Sequence, residues 1–139
     1  MNKKLEKILE YSKDLTVLYV EDDYENRKHT SIALSIIFDN LIIAVDGLDG
    51  LNKFKKNKVD LIITDIKMPK LSGLEMIKEI KKIDKKCHII FLSAHDERDI
   101  LLECISLQGD GFLVKPTGLE DIIKLVEEIM LRQQAYTKI

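Results

Sequence analysis

The stretch VDLIITDIKMPKLSGL, residues 59–74, decides the fold because it joins a short apolar run directly to the start of a helix. The run Val59–Thr64 is nearly continuous in apolar and β-branched side chains, which is typical of a strand buried on both faces. After a loop that contains Pro69, Ser72 and Glu75 match the S/T-x-x-E pattern that begins a helix. A strand, a loop and a helix in this order form the repeating unit of a parallel sheet.

The same unit recurs on both sides of this stretch. Each further apolar run is followed by residues with apolar side chains at i, i+3 and i+4, the spacing of a helix with one buried face. The predicted strands are Leu15–Val20, Leu41–Ala44, Val59–Thr64, His88–Leu92 and Gly111–Val114, and the predicted helices are 24–38, 47–57, 73–83, 97–107 and 118–132. The sequence therefore predicts an α/β fold of (βα)5 type, a doubly wound parallel five-stranded sheet with helices on both faces.

An amphipathic segment precedes the first predicted strand. Residues 3–12 carry Leu5, Ile8 and Leu9 at helical spacing, which predicts a short extra N-terminal helix. Its apolar stripe is too short to decide whether it packs on the sheet edge, pairs with a second copy or frays. We divide the chain into an N-terminal helical extension at 1–13, a central α/β domain at 14–134 and a C-terminal tail at 135–139.

The composition is that of one globular domain. The chain has 139 residues, of which 45% are hydrophobic and 33% charged, and it has only two prolines. The net charge of -2 argues against a general nucleic-acid or membrane-surface binder, and no apolar run approaches the roughly 20 residues of a membrane span. Cys87 and Cys104 lack C-x-x-C spacing, and the start of the chain lacks an apolar export signal, so we expect a reduced, cytoplasmic protein.

Charged and polar side chains follow four of the predicted strands. Glu21 and Asp22 follow the first strand, Asp65 the third, Ser93 the fourth and Lys115 the fifth. In a doubly wound sheet the functional crevice lies at the carboxyl ends of the strands, so these side chains should converge. Clustered carboxylates repel each other unless a hard cation such as Mg²⁺ is bound, and lysine binds phosphate as a point charge. The set is therefore suited to an aspartate that attacks a phosphorus atom.

Four motifs carry a resemblance to a known family. They are VLYVEDD at 17–23, DLIITDIKMPKLSG at 60–73, IIFLSAH at 89–95 and GFLVKP at 111–116. With these motifs the chain resembles, over about residues 14–132, the receiver domain of two-component response regulators. The resemblance implies the flavodoxin-like receiver fold and a cytoplasmic signalling switch rather than an enzyme.

The resemblance also implies roles for the polar side chains. Asp65 corresponds to the phosphoacceptor aspartate. Glu21 and Asp22 correspond to the acidic pair that holds Mg²⁺, with Asp22 as the direct ligand and Glu21 acting mainly through water. Asp65 and the backbone carbonyl of Lys67 would complete the protein ligands, and Lys115 would contact the phosphoryl group.

Further positions correspond to the family's switch and rate-setting residues. Ser93 stands at the switch hydroxyl position, and Phe112 stands at the switch aromatic position, where tyrosine is common. Pro116 follows the site lysine at the family's cis-peptide position. Lys67 and His95 each lie two residues beyond a site residue, at positions that tune how fast water attacks the phosphoryl group.

The implied function is a switch driven by phosphorylation. A histidine kinase or histidine phosphotransfer protein would donate the phosphoryl group to Asp65 in a Mg²⁺-dependent reaction. The change would spread to one surface of the domain. This surface is formed by the predicted helices at 97–107 and 118–132 and by the predicted strand at 111–114. That surface would then bind a downstream effector or a second copy in a homodimer. Neither direct nucleic-acid binding nor membrane binding is expected of this domain.

Two alternatives remain open at this point. A receiver-like interaction module that is not regulated by phosphorylation is one, although none of the key side chains is missing. The other is a doubly wound protein of a different kind. An aspartyl phosphatase would carry D-x-D-x-T after the first strand, and a flavin or dinucleotide module a Gly-rich or Ser/Thr-rich loop, whereas this chain has EDDYE at 21–25.

Overall fold

A single parallel sheet organises the chain. The computed structural model describes residues 2–94 and 98–137. The strands are β1 (Thr16–Val20), β2 (Asn40–Ala44), β3 (Leu61–Asp65), β4 (His88–Ser93) and β5 (Gly111–Val114). The helices in this part of the chain are α1 (Lys3–Asp14), α2 (Tyr24–Ile37), α3 (Gly47–Lys56), α4 (Gly73–Ile83), α5 (Arg98–Ser106) and α6 (Leu119–Thr137). The strand order β2-β1-β3-β4-β5, with every pair parallel, confirms the predicted doubly wound fold and its extra N-terminal helix.

The core has two layers, one on each face of the sheet. Because side chains along a strand alternate between faces, Leu18 and Val20 point to one layer while Val17 and Tyr19 point to the other. The first layer is covered by α3, α4 and α5, and the second by α1, α2 and α6. All four of these β1 side chains are fully buried, as expected for the central strands of such a sheet.

The predicted capping box at the start of α4 is present, whereas some boundaries of strands and helices differ from the predicted ones. Ser72 caps α4 in a complete capping box, in which Glu75 N donates to the Ser72 hydroxyl at 3.1 Å. The third strand begins at Leu61 instead of residue 59, and just before it the Asp60 carboxylate accepts a hydrogen bond from Thr16 N at 2.8 Å. The last helix continues to Thr137, past the predicted end at 132.

The N-terminal helix packs on the helical layer formed by α2 and α6. Ile8 is only 4% exposed within this layer, and the buried Ser12 hydroxyl donates to the Ile8 carbonyl at 2.7 Å. Lys4 Nζ lies 3.2 Å from Glu127 on α6. The helix α1 thus packs on a face of the sheet, whereas the sequence analysis considered packing only on its edge. The division of the chain at residues 13 and 134 remains a prediction.

Asp110 joins three elements at the amino-terminal end of the sheet. Its Oδ2 accepts from Ile89 N at 2.7 Å, and its Oδ1 lies 3.2 Å from His88 Nδ1 and 3.0 Å from Arg132 on α6. Burial alone would raise the pKa of Asp110, but His88 and the Ile89 amide outweigh it, so the pKa of this carboxyl lies below its usual value. The ionised carboxylate therefore stabilises the fold.

We expect Asp110→Asn to lower the free energy of unfolding by about 1.5–3 kcal/mol near neutral pH, the range of hydrogen bonds to charged groups. Because the pKa is lower in the folded state, this stabilisation is complete above the unfolded value of 3.8 and is lost as the pH falls through the folded value. Urea unfolding at about pH 7 and about pH 3 should show that the difference in unfolding free energy between wild type and Asp110→Asn is smaller in acid. Asp39→Asn, at an exposed carboxylate, is the control. An equal difference in unfolding free energy at both pH values would contradict a stabilising role for the ionised Asp110 carboxylate.

Candidate functional site

Three carboxylates converge at the carboxyl ends of β1 and β3. One oxygen from each of Glu21, Asp22 and Asp65 lies within 4.8 Å of the others. The convergence follows from the topology, because β1 and β3 are neighbours in register and both end at this rim. Glu21 is buried, Asp65 is half-buried and Asp22 is exposed, so the cluster opens to solvent on one side.

A lysine from the end of β5 enters the same pocket. Lys115 Nζ lies 2.5 Å from Glu21 Oε1 and 3.3 Å from Asp65 Oδ2. Its main-chain N donates to the Ser93 carbonyl at 2.7 Å, which joins the ends of β4 and β5. The peptide bond between Lys115 and Pro116 is cis, as the family resemblance implied. The carboxyl ends of β1, β3, β4 and β5 therefore lie along one rim, with Lys115 among the carboxylates.

The pKa values of the site residues indicate an excess of negative charge in the pocket. Burial, reinforced by the charge of Asp65, raises the pKa of Glu21 despite the hydrogen bond from Lys115. Partial burial and the neighbouring Glu21 likewise raise the pKa of Asp22. Burial would lower the pKa of Lys115, but Glu21 and Asp65 outweigh it and raise that pKa. One ammonium thus faces three carboxylates, and the pocket favours a further cation.

The donor set fits Mg²⁺. All the converging side chains offer carboxylate oxygens, and Mg²⁺ prefers one or two carboxylates together with water and phosphate oxygens. Solvent reaches the cluster through the exposed Asp22, which leaves room for water ligands. Lys67 is exposed directly after this rim, and the metal role of its carbonyl remains a prediction.

The loop after β3 approaches the main chain of Asp65 closely. Asp65 Oδ1 accepts from Ile66 N at 2.9 Å, and Gly73 N donates to the Ile66 carbonyl at 2.7 Å. A Cβ atom on Gly73 would lie 2.1 Å from the Asp65 carbonyl oxygen, far inside contact distance. Gly73 is therefore required for α4 to begin beside Asp65.

Comparison with known proteins identifies the family. Residues 17–127 match the family described as "Response regulator receiver domain". This chain is a response regulator receiver. The receiver is 36% identical to the N-terminal domain of an uncharacterized protein from Wolinella succinogenes, with a TM-score of 0.79 over 88% of this chain and 98% of that one. It is 25% identical, with a TM-score of 0.77, to a chain of the CheX-CheY-BeF3-Mg+2 complex from Borrelia burgdorferi, over 84% of this chain and 89% of that one.

A longer relative shares the receiver over part of its length. A cyclic di-GMP phosphodiesterase from Thermotoga maritima is 30% identical over 88% of this chain. The receiver spans only 32% of that relative's length. Within residues 2–94 and 98–137, no helix is both long enough and apolar enough to cross a membrane.

The two predicted switch residues of the receiver lie on one face of the sheet. Phe91 is opposite Phe112 in the ladder between β4 and β5, and Ser93 lies two residues beyond Phe91. Because strand side chains alternate, Ser93 and Phe112 point to the same side as diagonal neighbours. Ser93 is 6% exposed, and Phe112 packs partly buried in the layer under α5. Their geometry is compatible with coupling between the two side chains.

For two residues near the site, the sequence prediction and the structure cannot be matched in this way. His95, predicted to tune the phosphoryl lifetime, falls outside the described residues. Arg27 was not predicted, yet its Nη1 donates to the carbonyls of Glu21 at 2.9 Å and Asp22 at 3.2 Å. One sequence signal could have drawn attention to it, because a cation in the first turn of a helix opposes the helix dipole.

We expect Gly73→Ala to lower the free energy of unfolding by about 1–3 kcal/mol, because overpacking forces the main chain at Asp65 or α4 to move. Gly118→Ala is the matched control, since a Cβ there meets nothing within 4 Å. Urea unfolding of both variants measures the difference. Equal stability of the two variants would show that Gly73 is not under steric constraint.

Proposed function

We propose that this receiver accepts a phosphoryl group on Asp65 in a Mg²⁺-dependent reaction and switches a distant surface in response. The observation that carries the proposal is the position of Lys115, whose Nζ lies within 3.3 Å of Asp65 and 2.5 Å of Glu21 in one carboxylate-lined pocket. A cation of the protein and an oxygen-rich cluster flank the same nucleophile. Phosphoryl transfer depends on this kind of charge stabilisation around the phosphorus atom.

The chemical step uses the Asp65 oxygen that the main chain does not hold. Asp65 Oδ1 is held by Ile66 N, while Oδ2 faces Lys115. Oδ2 attacks the phosphorus of a phosphohistidine, the new O–P bond forms as the N–P bond breaks, and the electron pair leaves with the imidazole nitrogen. Lys115 neutralises charge on the transferring group. Glu21, Asp22 and Asp65, with the Lys67 carbonyl, would hold Mg²⁺, which supplies further charge neutralisation when bound.

The donor is a histidine kinase or a histidine phosphotransfer protein. A cleft of about 530 Å³ opens beside Lys115 between α2 and α6. Its walls include His29 and Thr30 on α2 and Leu119 and Ile122 on α6, and they form a mainly apolar groove beside Lys115 that suits a partner helix. The similar chain from Borrelia burgdorferi belongs to a complex of two proteins, CheX and CheY, and this supports a protein partner here.

The switch follows from new charge at the rim. A phosphoryl group adds a charge of roughly -2 and strong acceptor oxygens, which attract the Ser93 hydroxyl. Phe112, its diagonal neighbour, then turns into the space that Ser93 leaves. The affected surface on α5, β5 and α6 exposes Leu102 (59%), Ile105 (62%) and Val114 (42%). Apolar side chains there suit a downstream effector or a second copy.

Lys67 and His95 set how long the phosphoryl group persists. Lys67 is exposed beside the nucleophile, where a long cationic side chain can shield the acyl phosphate or stabilise its charge. His95 lies outside the described residues, and its role is proposed from the sequence alone. Both side chains would act on the attacking water rather than on the transfer itself.

We expect Asp65→Asn to abolish a hydroxylamine-labile phosphate that the wild type acquires from acetyl phosphate with Mg²⁺. An amide cannot form the acyl phosphate, so the loss should be complete. Asp23→Asn is the matched control, because Asp23 lies beside the site but caps α2 through Asn26 N at 2.9 Å, a role that asparagine also fills. Wild-type protein that is never labelled would instead favour an interaction module that is not regulated by phosphorylation.

We expect beryllofluoride with Mg²⁺ to change amide hydrogen exchange within residues 98–114 of the wild type. Ser93→Ala should reduce that change several-fold, because the hydroxyl that moves toward the rim is absent. Ser106→Ala is the control, since Ser106 is exposed near the end of α5 and its hydroxyl donates to the Glu103 carbonyl, away from the rim. An undiminished change in the Ser93 variant would contradict the coupling.

A further inference from the structure

We infer that Arg27 is a positioning residue for the metal site. It holds the main chain at the end of β1 so that the carboxylates of Glu21 and Asp22 face Asp65. The inference rests on the proposed function, because positioning matters only if these carboxylates bind a cation. It adds a residue that makes no contact with the metal or the phosphoryl group and acts through the loop.

The contacts of Arg27 fix two consecutive peptide units. Its Nη1 donates to the Glu21 carbonyl at 2.9 Å and to the Asp22 carbonyl at 3.2 Å. These carbonyls belong to the first two residues after β1, where the ladder hydrogen bonds end. The main-chain bond from Arg27 N to the Asp23 carbonyl, at 2.9 Å, is the first hydrogen bond of α2, so the side-chain contacts are what Arg27 adds to the loop.

The guanidinium itself is held from the other side. Its central carbon lies 5.7 Å from the centroid of the Tyr24 ring, within the range of a cation–π contact. Arg27 is half-buried between this ring and the loop. A side chain with fixed contacts on both sides restricts the loop more than a freely rotating one would. The loop then loses less conformational entropy when a cation binds, so binding is tighter.

Helix stability does not explain an arginine at this position. Arg27 lies in the first turn of α2, where the positive end of the helix dipole disfavours a cation. The compensation is the pair of carbonyl oxygens, whose negative ends face the guanidinium. Lysine is one bond shorter and lacks the planar arrangement of donors, so it reproduces this contact only in part.

The neighbouring residue provides a matched control. Lys28 carries the same charge one position along α2, is exposed, and has no side-chain hydrogen bond or ion pair among the described residues. Lys28→Met therefore removes one positive charge from the same turn and leaves the loop intact. Arg27→Met removes the same charge together with both carbonyl contacts. A difference between these two variants isolates the contacts from the charge.

The test is to measure Mn²⁺ binding to the purified protein by electron paramagnetic resonance, with Mg²⁺ as the competing ion. Arg27→Met should weaken binding by about tenfold, the order of one or two net hydrogen bonds. Lys28→Met should change it by less than about twofold, and Arg27→Lys should fall between them. The inference is overturned if Arg27→Met binds Mn²⁺ as tightly as the wild type, or if Lys28→Met weakens binding equally.

A kinetic measurement separates positioning from damage to the fold. With acetyl phosphate as donor, Arg27→Met should need about tenfold more Mg²⁺ for half-maximal labelling yet reach nearly the wild-type rate at saturation. A low rate even at saturating Mg²⁺ would overturn the inference, because it would mean a damaged site. Wild-type protein that binds no Mn²⁺, or Asp22→Asn protein that binds it normally, would overturn the proposed metal site itself, which is a different result.

Discussion

The repulsion among Glu21, Asp22 and Asp65 is the constraint on which the rest of the receiver depends. Three carboxylate oxygens within 4.8 Å of one another are unfavourable unless cations compensate them. Lys115 compensates part of this charge through Glu21 and Asp65. The buried layers on both faces of the sheet stabilise the fold enough to hold this group together. The remaining negative charge makes the site responsive to a cation and to a phosphoryl group.

Parallel topology explains why such a site could be predicted from the sequence. Side chains far apart in the chain, such as Glu21 and Lys115, meet because their strands end at the same rim. Apolar runs predict the strands, strand ends predict the rim, and the rim predicts which polar residues converge. The predicted positions of Asp22, Asp65 and Lys115 therefore required no knowledge of loop conformation.

Other features could not be predicted, because they depend on contacts that no local pattern records. Arg27 reaches back to carbonyls that precede its own helix, and a sequence pattern gives no side-chain direction. The need for glycine at position 73 arises from the Asp65 carbonyl oxygen, which the fold brings next to it. The place of α1 was open because its stripe fits several partners, and packing on α2 and α6 decides it. The bond from Thr16 N to the Asp60 carboxylate, just before β3, is likewise a tertiary contact.

Strands β4 and β5 connect one side of the site to the surface that we propose as the output. Lys115 N donates to the Ser93 carbonyl, so the main chains of the site lysine and of the proposed switch serine are joined directly. Phe112 lies on the strand that ends at Lys115, and Phe91 lies on the strand that ends at Ser93. A displacement of Ser93 toward the rim therefore changes packing within this strand pair before it reaches any helix. Because a close-packed interior has few intermediate arrangements, such a displacement favours two alternative packings over a gradual adjustment. A rim with unbalanced charge, joined by a rigid strand pair to an apolar surface, has the physical parts that a two-state switch requires.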